Sequence, residues 1–202
     1  MVFIGSQSTC NIQCILYYNT YHVSNLSFVS KLAERVAADQ IQSYLNEHDL
    51  FRSLQSAYRR HHSTETALLK VKNDILMNME NQKVTLLVLL DLGAAFDTVD
   101  HRILLDRLQF DFGISGSALN WIESYLSNRT QRIYIDGVLS SNFNLKFGVP
   151  QGSCIGPLLF SLYDSKLFKI VESHLPNSHC YADNTQLYIA FWQEMIWRRP
   201  LL

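Results

Sequence analysis

The stretch Leu86-Leu87-Val88-Leu89-Leu90-Asp91-Leu92-Gly93-Ala94-Ala95-Phe96-Asp97 decides how this chain is read. From Val84 to Leu90 the residues are apolar without alternation and rich in branched side chains, the pattern of a central strand covered on both faces. The run falls far short of the ~20 residues that a membrane span requires. A carboxylate, Asp91, stands where the strand gives way to a small-residue turn.

Helical patterns flank this strand. From Ser27, the residues Phe28, Leu32, Val36, Ile41 and Leu45 fall near one stripe, and the helix is expected to stop around Asn46 to Asp49. Ser63 is placed to cap a second helix, with Glu65 complementing its positive end and Leu68, Val71, Ile75 and Met79 on one face. Asp100 is a cap for a helix carrying Ile103, Leu104 and Leu108, closed by Gly113. A further helix holds Leu119, Ile122 and Tyr125 or Leu126. Asp136-Gly137 is a two-residue hairpin signal between Ile133 and Ile135 on one side and Phe143, Leu145 and Phe147 on the other. Pro157 suits a helix's first turn, and Leu158, Leu162, Leu167 and Val171 extend that stripe. Cys180 and Ala182, then Leu187, Ile189 and Phe191, form two short strands around a turn at Asp183-Asn184. The sum is an α+β fold with helices packed on one small sheet.

Composition agrees with one or two globular domains: 202 residues, 48% hydrophobic and 12% aromatic. A formal net charge of -1 gives no overall electrostatic case for nucleic acid. A local basic stretch runs through Arg52, Arg59, Arg60, His61 and His62, which a solvated polar face explains equally well. Cys10, Cys14, Cys154 and Cys180 show neither zinc-knuckle spacing nor an even ladder, so reduced thiols are expected. The N-terminus lacks the basic start and apolar block of a signal peptide. These features lead us to expect an intracellular protein of the nucleus or cytoplasm, neither secreted nor in a membrane.

Two more segments bear on chemistry: Gly148-Val149-Pro150-Gln151-Gly152-Ser153 and Tyr181-Ala182-Asp183-Asn184. A carboxylate at a strand end, a glycine-flanked Pro-Gln loop and a carboxylate at a hairpin tip are the working parts of a metal-dependent nucleotidyl transferase. Such a reaction is mostly positioning and neutralisation of charge. Two magnesium ions about 4 Å apart activate the attacking oxygen and stabilise the leaving one. Magnesium takes hard anionic oxygens in tight octahedral geometry, so the carboxylates must sit on rigid elements. Taken singly, each signal has another use. Asp91 also suits a helix cap, or the nucleophile of an aspartyl phosphatase, although those carry a second Asp where this chain has Gly93. Asp183-Asn184 also suits a plain turn pair.

In their order and spacing these three segments resemble the palm of a reverse transcriptase from retrotransposons lacking long terminal repeats. Val23-Ser24-Asn25-Leu26-Ser27-Phe28 and the segment from Gln55 to Ala67 are similar to the family's fingers. Asp97-Thr98-Val99-Asp100-His101 and Trp121-Ile122-Glu123-Ser124-Tyr125-Leu126 follow in the family's order. The resemblance implies an α+β fold with a polymerase-type palm sheet and fingers helices, divided as 23–83 fingers and 84–191 palm. It leaves 1–22 unassigned and 192–202 as a tail unlike the family, and it implies that the thumb is missing. It further implies that Asp91 and Asp183 are catalytic metal ligands for Mg2+, two ions in the intact family. The backbone of Leu92, Gly93, Ala94, Ala95 and Phe96 would lie near the triphosphate, Gly93 permitting close approach. Phe96 would reject a 2′-hydroxyl, with a core aromatic as its other reading. Gln151 would contact the incoming nucleotide and template, and Arg59 a phosphate. The implied partners are an RNA template, a DNA primer and a dNTP, held with low affinity for want of a thumb.

One residue departs from the pattern. The family's last motif ends in two aspartates, and Asn184 stands at the second. The implied RNA-directed DNA synthesis is therefore expected to be impaired. The alternative is a non-catalytic retroelement remnant acting at most as a weak nucleic-acid-binding or interaction module.

Overall fold

The computed structural model describes residues 28–51, 55–57, 61–92, 94–132, 134–135, 138–174, 177–181 and 184–192. In chain order its elements are α1 (Phe28–Glu47), α2 (Thr64–Glu80), β1 (Lys83–Asp91), α3 (His101–Phe110), α4 (Ser117–Leu126), β2 (Thr130–Gln131), β3 (Tyr134–Ile135), β4 (Val138–Leu139), β5 (Phe143–Asn144), α5 (Gly156–Tyr163), α6 (Ser165–His174), β6 (Asn177–Tyr181) and β7 (Asn184–Trp192). The mixture of helix and sheet matches the α+β expectation. The chain divides into two compact units, one from Met1–Phe51 with Ala94–Tyr163, the other from Arg52–Gly93 with Asp164–Leu202.

The first unit owns the main apolar core. Ile41 and Leu45 of α1, Val99 just before α3, Leu104 and Leu108 of α3, Ile122 and Leu126 of α4, Ile155 just before α5, and Leu158 and Leu159 of α5 are buried together. Local chemistry explains the helix ends. Asp100 accepts from the Ile103 N–H at 3.0 Å and caps α3 as its position suggests. Past the end of α3 the Ile114 N–H returns to the Leu108 carbonyl at 2.8 Å, a closure that passes through Gly113 at φ +69°. Ile135 pairs with Val138, so the Asp136-Gly137 signal sits between paired flanks, while the two residues themselves lie outside the described set. Phe143 does not join that hairpin; it pairs with Gln131 in a separate two-stranded ladder. Nor do Leu167 and Val171 continue α5, because the helix is interrupted at Asp164 and restarts as α6.

The stripe expected on α1 holds in its C-terminal half, at Ile41 and Leu45, and departs from it in the N-terminal half. Phe28, Leu32 and Val36 are exposed, whereas Glu34, Ala37, Ala38, Ile41 and Leu45 are buried. The seated line is Glu34, Ala38, Ile41, Leu45, a regular helical spacing with a carboxylate at one end. Glu34 is drawn in because its Oε2 accepts from the Cys154 N–H at 2.7 Å and its Oε1 from the Ser30 hydroxyl at 3.3 Å. Burial pushes this carboxyl above its ordinary value, and the backbone donors at Cys154 and Ile155 pull the other way without overcoming it.

The second unit is one antiparallel sheet in the order β1-β7-β6, with α2 and α6 packed on it. Here the expectation for the long apolar strand is corrected: among the described strands β1 lies at an edge and β7 takes the centre. Leu86 to Leu90 are each between 38% and 69% exposed, so the strand is not covered on both faces. A continuous apolar run reports the absence of alternation, which a central strand and a poorly covered edge share. On α2, Ser63 caps the helix and exchanges bonds with Thr66, its Oγ accepting from the Thr66 N–H at 3.2 Å and its own N–H donating to Thr66 Oγ1 at 2.9 Å. The expected face holds at Val71, which is buried together with Ala67, while Leu68 and Met79 are more than half exposed. Asp74 and Asn78 continue the helical line of the buried Ala67 and Val71 and reach the sheet through hydrogen bonds. The buried Tyr188 hydroxyl of β7 donates to Asp74, which also takes Lys70 Nζ at 3.1 Å, and Asn78 Nδ2 donates to Thr85 at 3.2 Å. Burial, reinforced by the adjacent Asp74 carboxylate, holds the Tyr188 phenol well above the ordinary tyrosine range.

Glu34 sets a pH signature. Its folded-state value is raised above 4.5, so the folded form retains this proton where the unfolded form has lost it. Its contribution to stability is therefore best below that value and declines as pH rises through the folded one. Thermal melts of the native chain and Glu34→Gln across the carboxylate range test this. The melting temperature of the variant, relative to the native chain, is expected to rise with pH; a constant gap or the opposite trend contradicts it.

Candidate functional site

Sequence-distant groups meet at one end of the second unit's sheet. The nine-residue register of β1 on β7 runs from Lys83 opposite Trp192 to Asp91 opposite Asn184. On the other side of β7, Tyr181, the last residue of β6, also pairs with Asn184. Asn184 is thus the first residue of a strand rather than part of the turn expected at Asp183-Asn184; the link between the strands is 182–183. Asp183 lies outside the described residues and directly precedes Asp91's cross-strand partner in the chain. Antiparallel partners stand about 4.5–5.5 Å apart at Cα, so the backbone at Asp91 and Asn184 is close enough to serve a common ion. The donor set is of the right kind: carboxylates and an amide oxygen are hard ligands, though the amide brings no charge. Among the described residues no group of three His, Cys, Asp or Glu side chains gathers into a metal cluster.

Leu92 is exposed and Gly93 falls outside the described residues. In the first unit, Ala94 to Asp97 form a tight turn in which the Asp97 N–H donates to the Ala94 carbonyl at 2.9 Å. Ala94 adopts φ +55°, which costs a residue with a Cβ about 1–2 kcal/mol and marks a turn fixed by its surroundings. Those surroundings are apolar: Ala95 is buried, and the half-buried Phe96 ring packs on Phe160 with centroids 5.1 Å apart. Phe96 is therefore a ring anchored on the core.

The Pro-Gln loop is fastened to this same turn. The Val149 N–H donates to the Phe96 carbonyl and the Gly148 N–H to the Val99 carbonyl, each at 2.7 Å. The Gly148 carbonyl accepts from the buried Arg129 guanidinium and stands 2.8 Å from His101 Nε2. Gln151 Nε2 donates to Asp97 Oδ2 at 3.0 Å. Glycine is required at 148: φ is +86°, and a Cβ would lie 3.0 Å from both the Cα and the carbonyl oxygen of Asp97.

Sequence reasoning missed this bracing. Asp97 and His101 bound the segment Asp97-Thr98-Val99-Asp100-His101, whose order in the chain assigns neither a role, and Arg129 belongs to no motif. A glycine directly before Val-Pro was the available signal for a close backbone approach. Of the basic stretch, His61 and His62 are exposed, while Arg52, Arg59 and Arg60 lie outside the described residues. No described helix is long and apolar enough to cross a membrane.

Comparison with known proteins adds three findings. The family described as Reverse transcriptase (RNA-dependent DNA polymerase) matches residues 19–196. Among curated relatives, the probable RNA-directed DNA polymerase from transposon BS of Drosophila melanogaster is 28% identical over 174 residues, 86% of this chain and 18% of the relative. The RNA-directed DNA polymerase from mobile element jockey of the same species is 31% identical over 171 residues, 80% of this chain and 18% of the relative. The chain thus spans less than a fifth of the length of either relative. In fold it is similar to two solved structures. Apo telomerase from Candida tropicalis superposes with a TM-score of 0.55 at 16% identity, over 79% of this chain and 34% of that one. Candida albicans telomerase, in complex with a TWJ fragment of telomeric RNA, gives 0.59 at 12% identity, over 93% and 39%.

Gly148 offers a direct test of the fastening. Gly148→Ala is expected to lower unfolding stability by about 1–3 kcal/mol, from strained backbone and the clash with Asp97. Gly116 also has positive φ, but its Cβ direction is open, so Gly116→Ala should cost less. Denaturant titration of both variants checks the order; equal losses would mean the contact with Asp97 carries no weight.

Proposed function

Since the chain belongs to the reverse transcriptase (RNA-dependent DNA polymerase) family, we propose that it supplies the nucleotidyl-transfer site of a retrotransposon RNA-directed DNA polymerase. The reaction joins a deoxynucleoside triphosphate to a primer 3′-hydroxyl on an RNA template, releasing pyrophosphate. The observation that carries this reading is the register of Asp91 opposite Asn184, next to Asp183 in the chain.

In this reading 23–83 are fingers and 84–191 are palm, with 1–22 and 192–202 unassigned. Divalent metal use is what the family implies. Mg2+, when bound, supplies neutralisation of charge on the attacking and leaving oxygens. Asp91 and Asp183 are the anionic ligands, and Asn184 adds a neutral oxygen. The backbone from Leu92 through Gly93, Ala94 and Ala95 to Phe96 follows the triphosphate. The Phe96 ring, braced on Phe160, bars a 2′-hydroxyl because a ring seated on the core yields little. Gln151 meets the incoming nucleotide and template, and Arg59 a phosphate.

Asn184 favours a second reading, a non-catalytic remnant with at most weak nucleic-acid binding. Replacing a carboxylate by an amide removes a charge from the ligand set, a main determinant of divalent-ion affinity. Loss of one electrostatic stabiliser typically costs about 10²-fold or more in rate. Primer extension on an RNA template, comparing the native chain with Asn184→Asp, is expected to show at least that gain in the variant. Equal, measurable rates would contradict this account of the charge. No extension by either, with no magnesium-coupled dNTP binding, would favour the remnant.

A further inference from the structure

Gln151 is half-buried, and one end of its carboxamide is already committed. Its Nε2 donates to Asp97 Oδ2 at 3.0 Å. A carboxylate offers only acceptors, so only the NH2 end of the amide can face Asp97, and Oε1 is turned the other way. The partners cannot drift apart easily, because the backbone beneath them is tied twice. Val149 and Gly148 donate to Phe96 and Val99, on either side of Asp97. Beneath Gln151, the Gly148 carbonyl is held by Arg129 and His101. Gly148 itself lies against the Asp97 backbone, where a methyl group would stand 3.0 Å from the Asp97 Cα and carbonyl oxygen.

We propose that Asp97 is a positioning residue: on the loop clamped by His101 and Arg129, it makes Gln151 present an acceptor oxygen, so that the ligand group Gln151 meets is a hydrogen-bond donor. This rests on the reading of Gln151 as a nucleotide and template contact and goes beyond it, by stating which chemistry that contact takes. Two sources supply such a donor: the 3′-hydroxyl of an incoming deoxynucleotide and an exocyclic amino group of a template base. An amide free to turn would accept from one ligand and donate to another, and would discriminate neither.

The test measures preferences rather than affinities, since a general loosening of the fold cancels in a ratio of two ligands on one variant. One arm compares a dNTP with its 3′-deoxy analogue in magnesium. The other compares primer–templates carrying guanine or hypoxanthine, which lacks the 2-amino group. The native chain is expected to favour the donor-bearing member of one pair by about 2- to 10-fold, the weight of one hydrogen bond. The arm that shows it identifies the source. In Asp97→Asn, whose amide can meet either end of Gln151, the preference should fall towards unity. A native-sized preference in Asp97→Asn, or no preference in either arm with binding intact, overturns the proposal alone. Failure of the native chain to bind nucleotide or primer–template at all overturns the proposed function and this inference with it.

Discussion

The antiparallel pairing of β1 with β7 is the constraint on which the functional reading depends. Asp91 and Asn184 are far apart in the chain, and no local preference links them. Nine consecutive cross-strand partners fix their meeting. Side chains alternate along strands with a period of two, so a slip of one residue would turn each position to the opposite face. Register, rather than the identity of either residue alone, is what brings these two positions side by side. The apolar residues of β1 raise β-propensity but do not select one register by pattern, because the run has no alternation. The capped helix α2 helps: Asp74 ties to Tyr188 on β7 and Asn78 to Thr85 on β1, so one helix marks a fixed point on both strands.

A second kind of constraint operates in the first unit. There the turn from Ala94 to Val99 and the loop from Gly148 to Gln151 are joined by backbone hydrogen bonds, so that neither can be placed without the other. A half-buried ring at Phe96, a positive-φ glycine tight against Asp97 and a carbonyl shared by Arg129 and His101 all serve one geometry. Such bracing is what a binding group needs if it is to be held rather than to search.

Much of this was legible beforehand where the signal is local. Ser63 and Asp100 cap the helices they precede, Gly113 closes α3, and the Asp136-Gly137 signal stands between strands that do pair. These features depend on a few adjacent residues, which is why sequence suffices. Ile41 and Leu45 on α1 and Val71 on α2 are buried as expected, and the misread members of both faces share a reason. Each helix seats a line that includes a small residue and a polar one, Glu34 with Ala38 and Asp74 with Ala67, while larger apolar residues remain outside. A search for apolar periodicity cannot find those members of a stripe that are held by hydrogen bonds, Glu34 on α1 and Asp74 and Asn78 on α2. The edge position of β1 and the Asp97–Gln151 bond are tertiary facts, and composition is silent on both. The motif residues were legible through the family's order and spacing, yet their bracing was not.

Disulfide trapping tests the register most directly. In a background in which Cys10, Cys14, Cys154 and Cys180 are replaced, a chain carrying Asp91→Cys and Asn184→Cys should close an intramolecular disulfide rapidly under mild oxidation, since cross-strand partners fall within bonding reach. A chain carrying Asp91→Cys and Leu187→Cys should not. Closure of the second pair in preference to the first would break the register, and with it the meeting of Asp91 and Asn184 at one end of the sheet.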